Sequence, residues 1–177
     1  MNPDPLPGRD QTQLSEPTAP PSEPLAELIA RQPFCSGLSQ HHLDILANSA
    51  MEMPFATGET MLEQGSPANR FYLILHGRVC LELEIPDRPP IPIQTLGAGD
   101  DLGWAWLFPP YYLHLGARAL EPTHTIFFYG TRLREQCELD HEFGYELMRR
   151  IAGVAIQYFQ ATQQRLLDML ASSPANS

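Results

Sequence analysis

The order of hydrophobic and polar positions changes period twice along this 177-residue chain. After a proline-rich start, two short segments carry helical spacing. LAELIAR, from Leu25 to Arg31, is the first. In the second, Ser39 stands ahead of QHHLDILANSA as an N-cap, and Leu43 and Leu46 lie three apart on one face. From Glu52 to about Tyr129 the period becomes that of strands. Leu81, Leu83 and Ile85 alternate with Glu82 and Glu84, the mark of a half-buried antiparallel strand. RFYLILHGRVCLELEI is expected to form two strands meeting in a tight turn at His76-Gly77. IPIQTL, LHLGARAL and THTIFFYG supply further strands. The period then turns helical. A short helix is expected from Thr131 to Cys137, and a proline-free run extends from about Asp140 to Leu170.

Short strands separated by Gly and Pro, with helices at both ends, predict a mainly β fold with flanking helices. The architecture expected is a double-stranded β-helix, or jelly roll, followed by a long C-terminal helix. A helix of roughly 30 residues is about 45 Å long, more than a small β domain needs to cover one face. Along it Ile151, Ala155, Tyr158, Thr162, Leu166 and Met169 step by 4, 3, 4, 4 and 3, close to a coiled-coil seam. The spacing predicts a homodimer through residues 144-170, with a helix folded back on its own domain as the alternative. The chain divides into a tail over 1-24, a β-roll with N-terminal helices over 25-138, and the helix over 139-171. The tail holds seven of the 18 prolines and too few apolar residues to offset its ordering entropy, so it is expected to be disordered.

Composition narrows the function classes. At 43% hydrophobic the chain can bury a core, and no apolar run approaches the ~20 residues that cross a membrane. The opening MNPDPLPGRDQ lacks a basic region followed by an apolar stretch, so a cytoplasmic protein is expected. Cys35, Cys80 and Cys137 are an odd, widely spaced set, which argues against a disulfide framework and a local zinc site. The net charge is −10, and all eleven basic residues are arginine. So acidic a body repels phosphate backbones and counts against direct DNA binding. The histidines form no HExxH or other metal-ligand spacing, and no GxSxG or P-loop is present. No enzymatic activity is expected.

The densest chemistry lies in GAGDDLGWAWLFPPYYLHLGARALEPT, from Gly97 to Thr123. Trp104, Trp106, Phe108, Tyr111 and Tyr112 place five aromatics within nine residues, including both tryptophans of the chain. Such a turn could form an apolar pocket suited to a flat ligand. Alternatively, the rings pack down and fill it.

The order of elements, from about residue 25 to 170, resembles the cyclic nucleotide-binding domain of the CRP/FNR superfamily. The markers are PFCSGLS, Gly58-Glu59, Gln64-Gly65 with the apolar strand that follows, Gly77, Gly99-Asp100 and Gly103. The resemblance implies a glutamate after the turn glycine to take the ribose hydroxyl. It also implies an arginine about ten residues on to pair with the cyclic phosphate, with a Ser or Thr beside it. Here Trp104 stands at the glutamate position, Leu113 near the arginine and His114 near the hydroxyl. Breaking a buried charged contact costs about 2–5 kcal/mol, or roughly 30- to 4,000-fold in affinity. Candidate pocket residues are therefore Gly103, Trp104, Ala105, Trp106, Leu113, His114 and Arg118. Backbone N–H groups of Gly103 to Ala105 could hold an anion, and His114 could stand in for the arginine.

The expected function is a non-enzymatic sensor or regulatory domain that does not hold cyclic AMP in the usual way. Its ligand would be a cyclic nucleotide or a flat apolar small molecule. The alternative is a ligand-free interaction or scaffold subunit with a filled pocket. In relatives an attached helix-turn-helix domain reads DNA. This sequence carries none after the long helix, so a protein partner is the expected output.

Overall fold

In this computed structural model residues 23–172 are described, and all but the last two residues of the proline-rich tail lie outside them. The chain begins with α1 (Leu25–Ala30), a 3-10 turn (Pro33–Cys35) and α2 (Gln40–Ser49). The strands are β1 (Ala50–Phe55), β2 (Thr60–Leu62), β3 (Arg70–His76), β4 (Val79–Leu83), β5 (Ile91–Leu96), β6 (Asp101–Leu102), β7 (Gly116–Ala119) and β8 (Thr123–Tyr129). A four-residue 3-10 helix (Trp104–Leu107) follows β6, and α3 (Gly130–Leu139) and α4 (His141–Ser172) close the chain. The strands form two antiparallel four-stranded sheets, ordered β1-β8-β3-β6 and β2-β7-β4-β5. This is the jelly roll with flanking helices that the periodicity predicts.

The tight hairpin expected at His76-Gly77 does not form. β3 and β4 belong to different sheets, and the turn carries the chain from one to the other. Gly77 takes φ +96°, and a Cβ there would lie 2.5 Å from Thr123 Oγ1. Burial explains the separation. In β3, Tyr72 and Ile74 face the roll interior while Phe71 and Leu73 face the helices, so the strand is apolar on both sides. In β4, Val79 and Leu81 face the roll interior, and on the other face Glu82 is ion-paired to Arg118 of β7. β1 follows α2 without a loop and forms the edge of its sheet, where Pro54 loses no ladder bond that a neighbour needs.

Two cores result. One fills the roll. The other lies between the β1-β8-β3-β6 sheet and the helices, gathering Ile29, Phe34, Leu46, Trp106, Leu133 and Phe143. α4 starts on this second core. Phe143, Leu147 and Ile151, four apart, are fully buried there. The Asp140 carboxylate caps the helix, accepting from the Phe143 N–H at 3.0 Å with His41 Nε2 2.9 Å away. Those two contacts hold Asp140 below the usual carboxylate range.

Beyond Ile151 the helix crosses from the second core over the roll. The seam read from the sequence is largely used within the chain. Ile151 is buried in the core, and Ala155, Tyr158 and Thr162 face the roll. The exposed apolar row lies beside that seam and shares Leu166 with it. It runs through Tyr145, Met148, Ile156, Phe159, Leu166 and Leu170. Among the described residues no helix is long and apolar enough to cross a membrane.

Candidate ligand-binding site

The site is built on the turn after β6. Gly103 adopts φ +88°, and a Cβ there would lie 2.2 Å from the carbonyl oxygen of Arg70. Only glycine lets the turn pass this close to β3. The next residue, Trp104, is half-buried. It stands edge-on to Phe108 at 6.4 Å and to Tyr158 of α4 at 6.1 Å between ring centroids. The Tyr158 hydroxyl donates to the Asp101 carbonyl at 2.7 Å. One tyrosine thus pins α4 to both the strand and the turn. Burial, and after it the neighbouring Asp101 and Asp100, raise the Tyr158 phenol well above its ordinary value.

Between the turn, the roll and α4 lies a cavity of about 380 Å³. Gly103, Trp104, Ala105, Leu113 and His114 line it, as the sequence reading grouped them. Leu113 is buried, its N–H donating to the Ser66 carbonyl at 3.0 Å, and His114 lies exposed at the rim. The remaining wall was not legible beforehand: Leu62, Leu81, Leu83 and Leu115 from the roll, with Tyr158 and Phe159 from α4. Their period marked them as core. It carried no sign that two sheets and a distant helix would leave a gap between them.

Two candidates stand elsewhere. Trp106 points away from the cavity into the helix-side core and is fully buried beside Phe71. Arg118 lies on the opposite face of β7. Its Nε donates to Glu82 at 3.1 Å, and its Nη1 donates to the Gly58 carbonyl at 3.1 Å. The five aromatics of the turn therefore do not converge. Only Trp104 reaches the cavity, Phe108 backs it, and Tyr111 and Tyr112 are exposed. Arg134 stacks over Tyr111 at 4.6 Å, outside the cavity. The cavity wall carries no Arg, Lys, Asp or Glu among the described residues. Those residues also contain no cluster of His, Cys, Asp or Glu able to hold a metal ion.

The roll, the turn after β6 and the helix laid across them define a class: cyclic nucleotide-binding regulatory folds. Residues 52–140 match the family model of the cyclic nucleotide-binding domain, and the chain belongs to that family. A curated relative, the CRP-like cAMP-activated global transcriptional regulator of Mycobacterium tuberculosis, is 22% identical over 144 residues. That match covers 81% of this chain and 62% of the relative's length. Among solved structures, a candidate cyclic nucleotide-binding protein from Geobacter metallireducens superposes with TM-score 0.69 at 26% identity. The match covers 76% of this chain and 97% of that one. The regulatory subunit of a cAMP-independent protein kinase A from Trypanosoma brucei superposes with TM-score 0.61 at 19% identity, over 81% of this chain and 49% of that one.

Proposed function

We propose that this chain is a non-enzymatic, cytoplasmic sensor domain whose cavity takes a flat, apolar small molecule and not a cyclic nucleotide held by its phosphate. One observation carries the reading: the cavity wall is built from leucines and aromatics and holds no fixed charge. A cyclic phosphate buried there would have no guanidinium to pair with, and His114 sits at the exposed rim. An apolar ligand would displace water from a surface that gains nothing by being wet. The trypanosomal neighbour, itself described as cAMP-independent, is consistent with this fold serving without that nucleotide.

The test is thermal unfolding with cyclic AMP, cyclic GMP and a panel of flat apolar compounds. A ligand at about 100 times its Kd adds ~2.7 kcal/mol, raising Tm by about 5–10 °C for a domain this size. The expected result is a shift with an apolar compound and none with either nucleotide. A shift with cyclic AMP at micromolar concentration overturns the reading. Silence from every compound favours a ligand-free interaction subunit.

The output in this proposal is a protein partner reached through a homodimer built on α4. The exposed apolar row from Tyr145 to Leu170 lies along one side of α4, with Ala152 and Gln163 at the positions that complete its spacing of threes and fours, a pattern that can pair with its own copy. Light scattering at micromolar concentration is expected to give a dimer mass. The double variant Ile156→Glu with Phe159→Glu, which puts like charges into that row, is expected to give a monomer. A monomeric wild-type chain removes this part of the proposal.

A further inference from the structure

Asp101 is a carboxylic acid in an apolar place. In β6 it pairs with Leu73 of β3, and Leu73 belongs to the core on the helix side of the sheet. Cross-strand partners share a face, so the Asp101 side chain is directed toward α4 and the 3-10 turn, away from the roll interior. The residue is 8% exposed. Its Oδ2 is fully buried with no hydrogen-bond partner among the described residues.

The groups around it offer no counter-charge. From the 3-10 turn comes the Cys35 thiol, which senses both Asp101 and Arg150. From α4 comes Tyr158, whose hydroxyl is committed to the Asp101 carbonyl. Arg150 of α4 directs its two terminal nitrogens elsewhere: Nη2 donates to the Ser36 carbonyl at 2.7 Å and Nη1 lies 3.3 Å from Glu146, while its Nε has no partner among the described residues. On its own segment the neighbour is Asp100, a like charge that accepts from the Gly97 N–H at 2.8 Å.

We propose that the seating of α4 over the cavity is gated by one buried proton on Asp101. Neutral, the carboxyl tolerates its apolar cover. Ionised, it is an unpaired buried charge, which a protein relieves by letting water in. The way in is the middle of α4. Moving that segment breaks the Tyr158 bond to the same residue's carbonyl and draws Tyr158 from Trp104, opening the cavity wall. This gate does not depend on what the cavity binds.

Burial first, and Asp100 second, raise the Asp101 carboxyl from 3.8 to about 7 in the closed protein. In the opened state it returns toward the ordinary value. Between those two values the closed form holds a proton that the open form has lost. Opening therefore grows as pH rises from about 4 to about 7 and levels off above, because both forms are then ionised.

Native-state hydrogen exchange of residues 154–162 in the full chain, corrected for intrinsic exchange, tests this from about pH 5 to about pH 8. The opening constant is expected to rise by up to about tenfold per pH unit and reach a plateau near neutrality. Asp101→Asn is expected to remove the dependence, and Asp101→Ser is a smaller neutral replacement should the amide pack badly. Tyr158→Phe is expected to raise opening at every pH while keeping the plateau position. A flat wild-type profile overturns the proposal, and that reading needs no variant to fold. A pH dependence surviving in both Asp101 variants also overturns it, since all six histidines remain in them.

Discussion

Replacing Trp106 with alanine is expected to lower the unfolding free energy by about 3–5 kcal/mol. Trp106 is fully buried and sits where three elements meet. Its ring lies 6.2 Å from that of Phe71 on β3. Its Cβ is so close to Gly130 that a Cβ added there would come within 2.5 Å, and its carbonyl accepts from Arg134 of α3. Removing the indole empties a volume bounded by a sheet and the start of a helix. Neither can collapse without losing its own hydrogen bonds, so most of the cavity persists. Trp106→Phe is the informative companion. The indole N–H has no acceptor among the described residues, so phenylalanine discards no satisfied bond and keeps most of the ring. It is expected to cost less than half as much. Urea unfolding followed by circular dichroism reads both values. An alanine variant as stable as wild type would remove Trp106 as the anchor of the helix-side core.

Gly103→Ala is expected to be the other severe substitution, at about 3 kcal/mol or more. Two independent effects add. An L side chain at φ +88° carries left-handed strain of about 1–2 kcal/mol. The new methyl would also stand 2.2 Å from the Arg70 carbonyl oxygen, which is backbone and cannot swing aside. Forced packing of that kind adds about 1–3 kcal/mol. Gly58→Ala separates the two effects. Gly58 has a similar φ of +83° but nothing within 4 Å of the added atom, so only the strain of about 1–2 kcal/mol applies. Equal losses at the two positions, read from denaturant midpoints, would mean that close approach to β3 contributes nothing. Because Gly103 also lines the cavity, its variant is expected to lose the ligand-induced Tm shift more completely than it loses the fold.

These two residues show how the site was and was not legible. Gly103 stands in the sequence as a marker of the family resemblance, and in the structure its turn is left-handed and passes close to β3. From the sequence, Trp106 reads, with Trp104, as one of five aromatics in a single turn. In a 3-10 helix, residues two apart point to different sides, so one ring meets the cavity and the other the core. Leu113 and His114 lie in the irregular segment just before β7, and both line the cavity. Arg118 lies within β7, between Ala117 and Ala119 of the roll core, so the alternation of faces sends it outward to Glu82. The leucines of the wall carried no distinguishing signal, since a leucine facing a cavity and one facing a core have the same period.

α4 shows the same division. Its existence and length follow from a proline-free run of helical period, which is local information. Which of its faces is spent inside the chain is not local. The rotation of the helix decides that Tyr158 is packed against Asp101 and Trp104 while Phe159 stays largely exposed at the cavity's edge, and that rotation is set where Phe143, Leu147 and Ile151 dock on the second core. The sequence alone determined the jelly roll, its flanking helices, the turn at Gly103 and the absence of an arginine near Leu113. Those depend on period, backbone freedom and residue identity, each written within a few positions. Tertiary structure alone decided that β3 and β4 part into different sheets, that leucines and two α4 aromatics enclose a chargeless cavity, and that Asp101 is buried without a partner. Each of these depends on which distant element covers a face, and burial of that kind belongs to the assembled layers and not to any segment by itself.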